Sequence, residues 1–405
     1  MTAPKCLFVV THYLPLVGGG QTVYDALCRE LPDQLQVLTS STDYVTGDEV
    51  VGYKEFDASA PYDIKRVHHT RPNIGAPKVT FFNRLKGYFR SKQIERELIA
   101  DILETCSVGD IDVICIGAAE AFTWLPAKLK EHTQTPIIYY THGEEFSQEA
   151  HSAKADDMRR AAIAHSDAIV CVSSFTRDLL IDKYGAMAER ISLIHNGVDF
   201  KRFSTKVANN RFAHEQNKTV VAAGRMVERK GFDKLIDAWP DVLARVPDAK
   251  LKIAGKGPIF DQLATKIERM NISGSVNQLG YVSANDLVAL YQSTDLFVMP
   301  NRTLPNGDTE GFGLVFLEAA AAGATSVGGR AGGAVDAIVN EETGLLVNSN
   351  DPKAIADAVA ELLLDEPKRL KMAKAAFEHA KRSDWSAKAN QFLELVKGLS
   401  GATNS

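Results

Sequence analysis

The sequence predicts an α/β protein of two consecutive domains, each built on a mostly parallel sheet with helices on its faces. Three observations carry that expectation. Short apolar runs of strand length alternate with helical periodicity along nearly the whole chain. A glycine-rich turn, Gly18-Gly19-Gly20, follows the first apolar run and opens a helix, which is how a doubly wound sheet begins. The alternation breaks near residues 195–217 and starts again at Thr219. At 405 residues the chain is long enough for two ordinary cores, placed at 1–200 and 201–383, with a last helix over 384–400.

With 45% hydrophobic and 24% charged residues the composition is that of a soluble globular protein, and a net charge of −5 offers no global attraction for nucleic acid. The five cysteines (Cys6, Cys28, Cys106, Cys115, Cys171) are scattered, mostly inside apolar runs, and form no Cys-x-x-Cys pair. Buried thiols in a reducing cytosol fit them better than disulfides or zinc. The apolar run Cys6 to Val10 is too short for a signal-peptide core or a membrane span. The expectation is a cytoplasmic chain that can still visit the inner face of the cell membrane.

In the first half, residues 5–11 read as a buried strand, followed by the glycine turn and a helix to about Leu31. Glycines let a backbone approach closely whatever fills the cleft, but these do not spell the Gly-x-Gly-x-x-Gly dinucleotide fingerprint. Further strands are expected at 35–39, 111–116, 136–140, 168–172 and 191–195. Asp110-Ile111-Asp112 has metal-motif spacing, yet it precedes an apolar strand and reads as a turn. Tyr139-Tyr140-Thr141-His142-Gly143 ends a strand at the edge where such sheets bind ligands, so His142 is either a site residue or a structural histidine. Val172-Ser173-Ser174-Phe175-Thr176 reads as a strand running into a helix cap.

One stretch stands apart. From Ile64 to Ile94 there is no acidic residue, while Lys65, Arg66, Arg71, Lys78, Arg84, Lys86, Arg90 and Lys92 are basic. Phe81, Phe82, Leu85, Tyr88 and Phe89 interleave with the last of these at helical spacing. Such a helix lies on an anionic bilayer or grips an anionic acceptor, with Arg84, Lys86, Arg90 and Lys92 as the contacts; alternatively its aromatics pack into the domain.

After His195-Asn196-Gly197-Val198-Asp199 comes a polar linker through Asn217, with Gly197 as its hinge. The second half repeats the plan. Strand Thr219–Ala223 leads into Gly224-Arg225-Met226-Val227-Glu228-Arg229-Lys230-Gly231, a strand-to-helix loop of the kind that binds anions. Strands at 250–254, 275–280, 295–299, 325–327 and 344–347 alternate with helices to about residue 381. Within this half, residues 299–323 break from a strand into a polar loop and then an almost wholly apolar helix. Glu310 precedes that helix and Glu318 lies inside it, about 12 Å along the axis. Between them are the amides of Phe312, Gly313, Leu314 and Val315, the unpaired donors of a helix start, which favours phosphate. Carboxylates on either side of a phosphate suit the diols of a nucleotide-sugar; the plainer reading is a helix-dipole carboxylate and a surface glutamate.

These motifs, Gly18-Gly19-Gly20, Thr141-His142-Gly143, Asn196-Gly197-Val198-Asp199, Gly224-Arg225 with Lys230-Gly231, and Glu310-Gly-Phe-Gly-Leu-Val-Phe-Leu-Glu318, together resemble the retaining glycosyltransferases of family 4. The resemblance spans essentially the full chain. It implies the GT-B fold: two Rossmann-like domains facing a deep cleft, an acceptor-binding first domain, a donor-binding second one, and a last helix crossing back to the first. Met299-Pro300-Asn301-Arg302 and Gly328 to Ala334 resemble bacterial mannosyltransferases acting on lipid acceptors. Ala322 departs from a cysteine common there, and the loop from Asn301 to Asp308 is longer than in many relatives.

The resemblance implies roles residue by residue. Arg225 and Lys230 would hold the donor diphosphate. Glu310, with the amides of Phe312 and Gly313, would hold the sugar. The amides of Leu314 and Val315 would meet the phosphates, and Glu318 the ribose. Gly19 and Gly20 would face the phosphate, His142 would lie beside the sugar, and Gly280 and Val282 would meet the base. The implied reaction moves a hexosyl group, with GDP-mannose favoured over UDP-sugars, to a lipid-linked or saccharide hydroxyl. It needs no metal and no cofactor, since the two cations do a metal ion's work. A sugar-nucleotide epimerase on the same fold and a non-catalytic sugar-nucleotide binder are the alternatives.

Overall fold

The computed structural model describes residues 3–71, 81–117, 119–205, 207 and 218–402, without the side chains of 81–86 and 402. Most of the linker after residue 205 therefore lies outside the described residues, as does Lys78.

Seven parallel strands form the first sheet: β1 (Cys6–Val9), β2 (Leu35–Ser40), β3 (Ile64–Val67), β4 (Val113–Ile116), β5 (Ile137–Thr141), β6 (Ala168–Cys171) and β7 (Ile191–Leu193), in the order β3-β2-β1-β4-β5-β6-β7. Six more form the second: β8 (Thr219–Ala223), β9 (Lys250–Ala254), β10 (Val276–Gly280), β11 (Leu296–Met299), β12 (Thr325–Gly329) and β13 (Gly344–Val347), in the order β10-β9-β8-β11-β12-β13. The central strands are buried throughout, which is why they read as unbroken apolar runs. In each sheet the strand order reverses beside its first strand, between β1 and β4 and between β8 and β11. Loops at such a reversal part to opposite faces and leave a crevice. The glycine turn follows β1, the Arg225–Lys230 loop follows β8, and the 299–313 loop follows β11.

Sequence reasoning missed β3. It is an edge strand in which only Val67 is buried, and its charges are spent locally. Lys65 Nζ pairs with Glu104 at 2.7 Å, and Arg66 donates to both oxygens of Asp57 at 3.0 and 2.8 Å. The supposed basic insertion is therefore a strand, a connection and the start of a 29-residue helix, Phe81–Gly109. Asp110, at φ 51°, ends that helix, and the Asp112 carboxylate accepts the Lys5 amide at 2.8 Å; this pair of acids is a turn.

The expected linker begins with a docked helical turn, Phe200–Ser204, whose N-cap Asp199 accepts the Arg202 amide. Phe203 is buried, and Phe200 meets Phe377 edge-on with ring centroids 4.9 Å apart. Beside it the chain returns: Val198 N–H donates to the Ser383 carbonyl at 3.0 Å, Trp385 N–H to the Val198 carbonyl at 3.2 Å, and Phe200 N–H to Asp384 at 3.2 Å. A Cβ at Gly197 would come within 2.8 Å of the Trp385 ring, so only glycine lets the two crossings lie together.

From there the helix Trp385–Ala402 covers the first sheet, with Phe392 fully buried and stacked on Phe8 at 5.3 Å. Phe392→Ala removes that ring and should cost about 3–5 kcal/mol. The expected result is an earlier calorimetric transition for the first lobe; an unchanged transition would mean that the helix does not hold it.

Candidate functional site

The second lobe supplies the donor-facing elements. Gly313, at φ 91°, caps the helix Leu314–Ala321 without any side-chain hydrogen bond to its first turn. The amides of Leu314 and Val315 therefore open a helix start with no side-chain acceptor, as the sequence suggested. Phe312 is buried, its ring 5.8 Å from that of His195. The loop ahead of the helix lies directly on backbone: a Cβ at Gly332, which also has φ 57°, would overlap the Glu310 carbonyl.

Lys230 closes the turn after β8, and its Nζ lies 2.5 Å from Glu310 Oε2; the two side chains are only 11% and 10% exposed. An ion pair so withdrawn from water gains little net stability, because desolvation offsets the attraction. Its effect is to keep two charges in place. Glu318 accepts a hydrogen bond from Tyr291 Oη at 3.2 Å. Burial raises the Glu318 pKa, against the hydrogen bond from Tyr291 and the charges of Arg202 and Lys230. The two carboxylates, eight residues apart, thus share the field of one lysine. Arg225 is exposed and has no carboxylate partner among the described residues.

The first lobe supplies His142. Its Nε2 lies 2.7 Å from Tyr24 Oη, and the ring packs against Tyr24 and Tyr140 at 5.4 Å from each. Burial lowers its pKa to about 4, so the ring is neutral near pH 7. Its amide donates to Glu145 Oε1 at 2.7 Å, and burial pushes that carboxyl up to about 7. A Cβ on Gly20 would stand 3.2 Å from His142 Nε2, whereas Gly19 faces open space. The lobes touch here, because a Cβ on Gly311 would overlap the His142 carbonyl. Glu310, next in sequence, is thereby brought with Lys230 to the His142 edge.

Other predicted residues lie further out. Gly280, at φ 70°, ends the edge strand β10, and its carbonyl accepts the Gly255 amide at 2.7 Å; Val282 is half-buried beyond it. Arg84 and Lys86 have side chains outside the described residues. Arg90 bonds His69, and Lys92 pairs with Glu95 within its own helix. Tyr88 and Phe89 are 59% and 63% exposed, which excludes the reading in which they pack into the domain.

Sequence reasoning missed the contacts between lobes. Asp336 accepts the Ser174 amide and hydroxyl, each at 2.8 Å, and lies 3.6 Å from His195 Nε2. Arg229 donates to Glu144 at 3.0 Å and approaches Asp308 at 3.7 Å. A readable signal existed for Asp336 alone: it follows the glycines of a loop at the cleft edge of β12.

Two parallel sheets meeting at their strand-end loops, with a cation, two carboxylates and an open helix start in one lobe and a neutral histidine in the other, define a GT-B glycosyltransferase. The model for "Glycosyltransferase Family 4" matches residues 17–202 and that for "Glycosyl transferases group 1" matches 204–379. The chain belongs to glycosyltransferase family 4. It is 32% identical over 296 residues to a Mycobacterium tuberculosis protein named GDP-mannose-dependent alpha-(1-6)-phosphatidylinositol monomannoside mannosyltransferase, covering 71% of this chain and 76% of that one. A protein of the same name from Mycolicibacterium smegmatis is 30% identical and covers 97% of this chain and 98% of its own length. Anabaena HepE, solved in complex with UDP, superposes with a TM-score of 0.74 at 20% identity, over 97% of this chain and 100% of that one.

The histidine geometry sets a pH expectation. A pKa lowered from 6.5 to about 4 means that the stability from the neutral ring is complete above 6.5 and is lost as pH falls through 4. Ring-nitrogen NMR should show His142 neutral down to pH 5, with Tyr24→Phe altering its shifts; a midpoint near 6.5 would show that the ring is solvated.

Proposed function

We propose that the chain transfers a mannosyl group from GDP-mannose to a hydroxyl of a glycolipid acceptor, with retention and without a metal. The observation that carries this is Lys230, ion-paired with Glu310 and acting by its charge on Glu318, in the lobe that carries an open helix start. The names of the two mannosyltransferase relatives support the donor and acceptor. In this reading residues 201–383 hold the donor, and 1–200 with the helix from 384 hold the acceptor.

Donor binding shifts the ion pair. The diphosphate takes Lys230 and Arg225 and the amides of Leu314 and Val315, with Gly19 and Gly20 facing it from the other lobe. Glu310, released, accepts from the sugar hydroxyls beside the amides of Phe312 and Gly313. Glu318 accepts from the ribose, Gly280 and Val282 border the base, and His142, being neutral, bonds the sugar without competing for the phosphate. The acceptor oxygen attacks the anomeric carbon on the face the phosphate leaves. Its proton passes to the departing phosphate oxygen as the old glycosidic bond breaks. Lys230 and Arg225 stabilise the charge that grows there.

Lys230→Ala should lower turnover by at least ~10²-fold, the size of an oxyanion-hole loss. Thermal shift with GDP, UDP and ADP sugars should favour GDP-mannose. Excess EDTA should leave transfer intact; activity lost in EDTA and restored by manganese would overturn the metal-independent route.

We also place the start of the Phe81–Gly109 helix, with exposed Tyr88 and Phe89, on an anionic membrane face. Among the described residues no helix is long and apolar enough to cross a membrane. Replacing Arg84, Lys86 and Lys92 by Glu should weaken sedimentation with anionic liposomes, and equal sedimentation would sink this placement.

A further inference from the structure

His142 is tied at two points. Its ring Nε2 lies 2.7 Å from Tyr24 Oη, and its amide donates to Glu145 Oε1 at 2.7 Å. Ring Nδ1 has no hydrogen-bond partner among the described residues, so it is the nitrogen left to a ligand.

The chain on either side is held without Glu145. Thr141 Oγ1 donates to the Val170 carbonyl at 2.8 Å and pins the end of β5. Beyond the turn, Tyr184 Oη donates to the Phe146 carbonyl at 3.2 Å, and Arg159 Nη1 to the Gln148 carbonyl at 2.9 Å. Between these anchors Gly143 has φ 102°, and a Cβ there would overlap Thr176 Oγ1. A glycine leaves the backbone free to swivel, so the angle of His142 is set by whatever holds its amide.

Glu145 is a costly acceptor for this place. Burial pushes its carboxyl up to about 7, and the charges that act on it, Glu144 and Glu120, are negative too. Two amides, its own and that of His142, oppose that shift. A carboxylate withdrawn from water without a counterion is unfavourable, and capping a helix does not account for it. The helical turn Glu144–Ser147 starts from Gly143, and the amide that Glu145 holds lies one residue before that start. The acid therefore secures the histidine rather than the turn.

We propose that Glu145 is a positioning residue for glycosyl transfer: by holding the His142 amide it aims ring Nδ1 at the donor sugar. Tyr24 holds the other end of the same residue. This rests on the transferase reading above and adds a residue to that site. Glu145 itself touches no substrate, and its effect passes through His142.

The test is calorimetric titration of the full chain with GDP and with GDP-mannose, since the ratio of the two affinities isolates the sugar contacts. Glu145→Ala should lower the preference for GDP-mannose over GDP about 5-fold, as expected for one lost hydrogen bond, with GDP affinity unchanged. Glu145→Asp, whose carboxylate stops a methylene short, should lose as much. Glu145→Gln keeps an acceptor oxygen at full reach and should keep most of the preference. In a His142→Ala background, Glu145→Ala should add no further loss, because residues acting as one unit are not additive. If Glu145→Ala no longer binds GDP, Glu145→Asp gives the reading, since it keeps the charge and most of the volume. An unchanged preference in Glu145→Ala or Glu145→Asp, an equal loss in Glu145→Gln, or losses that add in the double variant would overturn the proposal. Wild type that binds neither nucleotide, or a preference unmoved by His142→Ala, counts against the transferase reading instead. NMR of the His142 ring then decides the positioning role. Shifts changed in Glu145→Ala and kept in Glu145→Gln support it, and shifts equal in wild type and Glu145→Ala overturn it.

Discussion

The Lys230–Glu310 ion pair depends on the main-chain packing of both loops that carry it. Its partners come from loops after β8 and β11, the strands between which the second sheet reverses. Each loop is held by backbone contact: Gly231 against the Pro300 carbonyl, Gly332 against Glu310, and Gly311 against His142 of the other lobe. A side chain at any of these glycines would lift a loop and part the charges. The pair is thus a by-product of close main-chain packing, and it stores a cation where an anionic ligand needs one. Without Glu310, Lys230 would be a nearly buried charge lacking a counterion, a costly arrangement.

The same packing explains the neutral histidine. A protonated His142 would be a charge held in a poorly solvated space. Tyr24 and Tyr140 wrap the ring tightly enough that burial alone keeps it uncharged. At His142 the first lobe therefore presents a neutral hydrogen-bonding ring, while Lys230 and Glu310 of the second present charge.

Much of this was legible in the sequence, for physical reasons. Strands buried on both faces, such as Cys6–Val9 and Leu296–Met299, are apolar runs that no other element imitates at that length. The strand Ile64–Val67 was not legible, because an edge position allows lysine and arginine where a core strand would not. The helical turn Phe200–Ser204 was hidden because its apolar residues, Phe200 and Phe203, look isolated in a polar stretch until Phe377 and Tyr291 are placed around them. Glu310, Lys230 and His142 stood out through their positions on strand-end loops, and Glu318 through its place in the apolar helix that follows one of them. That Lys230 would rest on Glu310, or Asp336 on Ser174, could not be read, since the partner of a charged residue is set by tertiary approach. The aromatic residues Tyr88 and Phe89 had the same spacing whether they packed inward or stood in solvent.

The paired crossings at Val198 and Ser383–Trp385 have a mechanical consequence. Two chain segments tied side by side by backbone hydrogen bonds bend easily about one line and resist torsion, like the leaf of a door. The contacts Ser174–Asp336, Arg229–Glu144 and Gly311–His142 also join the two lobes. A swing of one lobe would break them as a set, so their combined strength fixes how long the leaf stays shut.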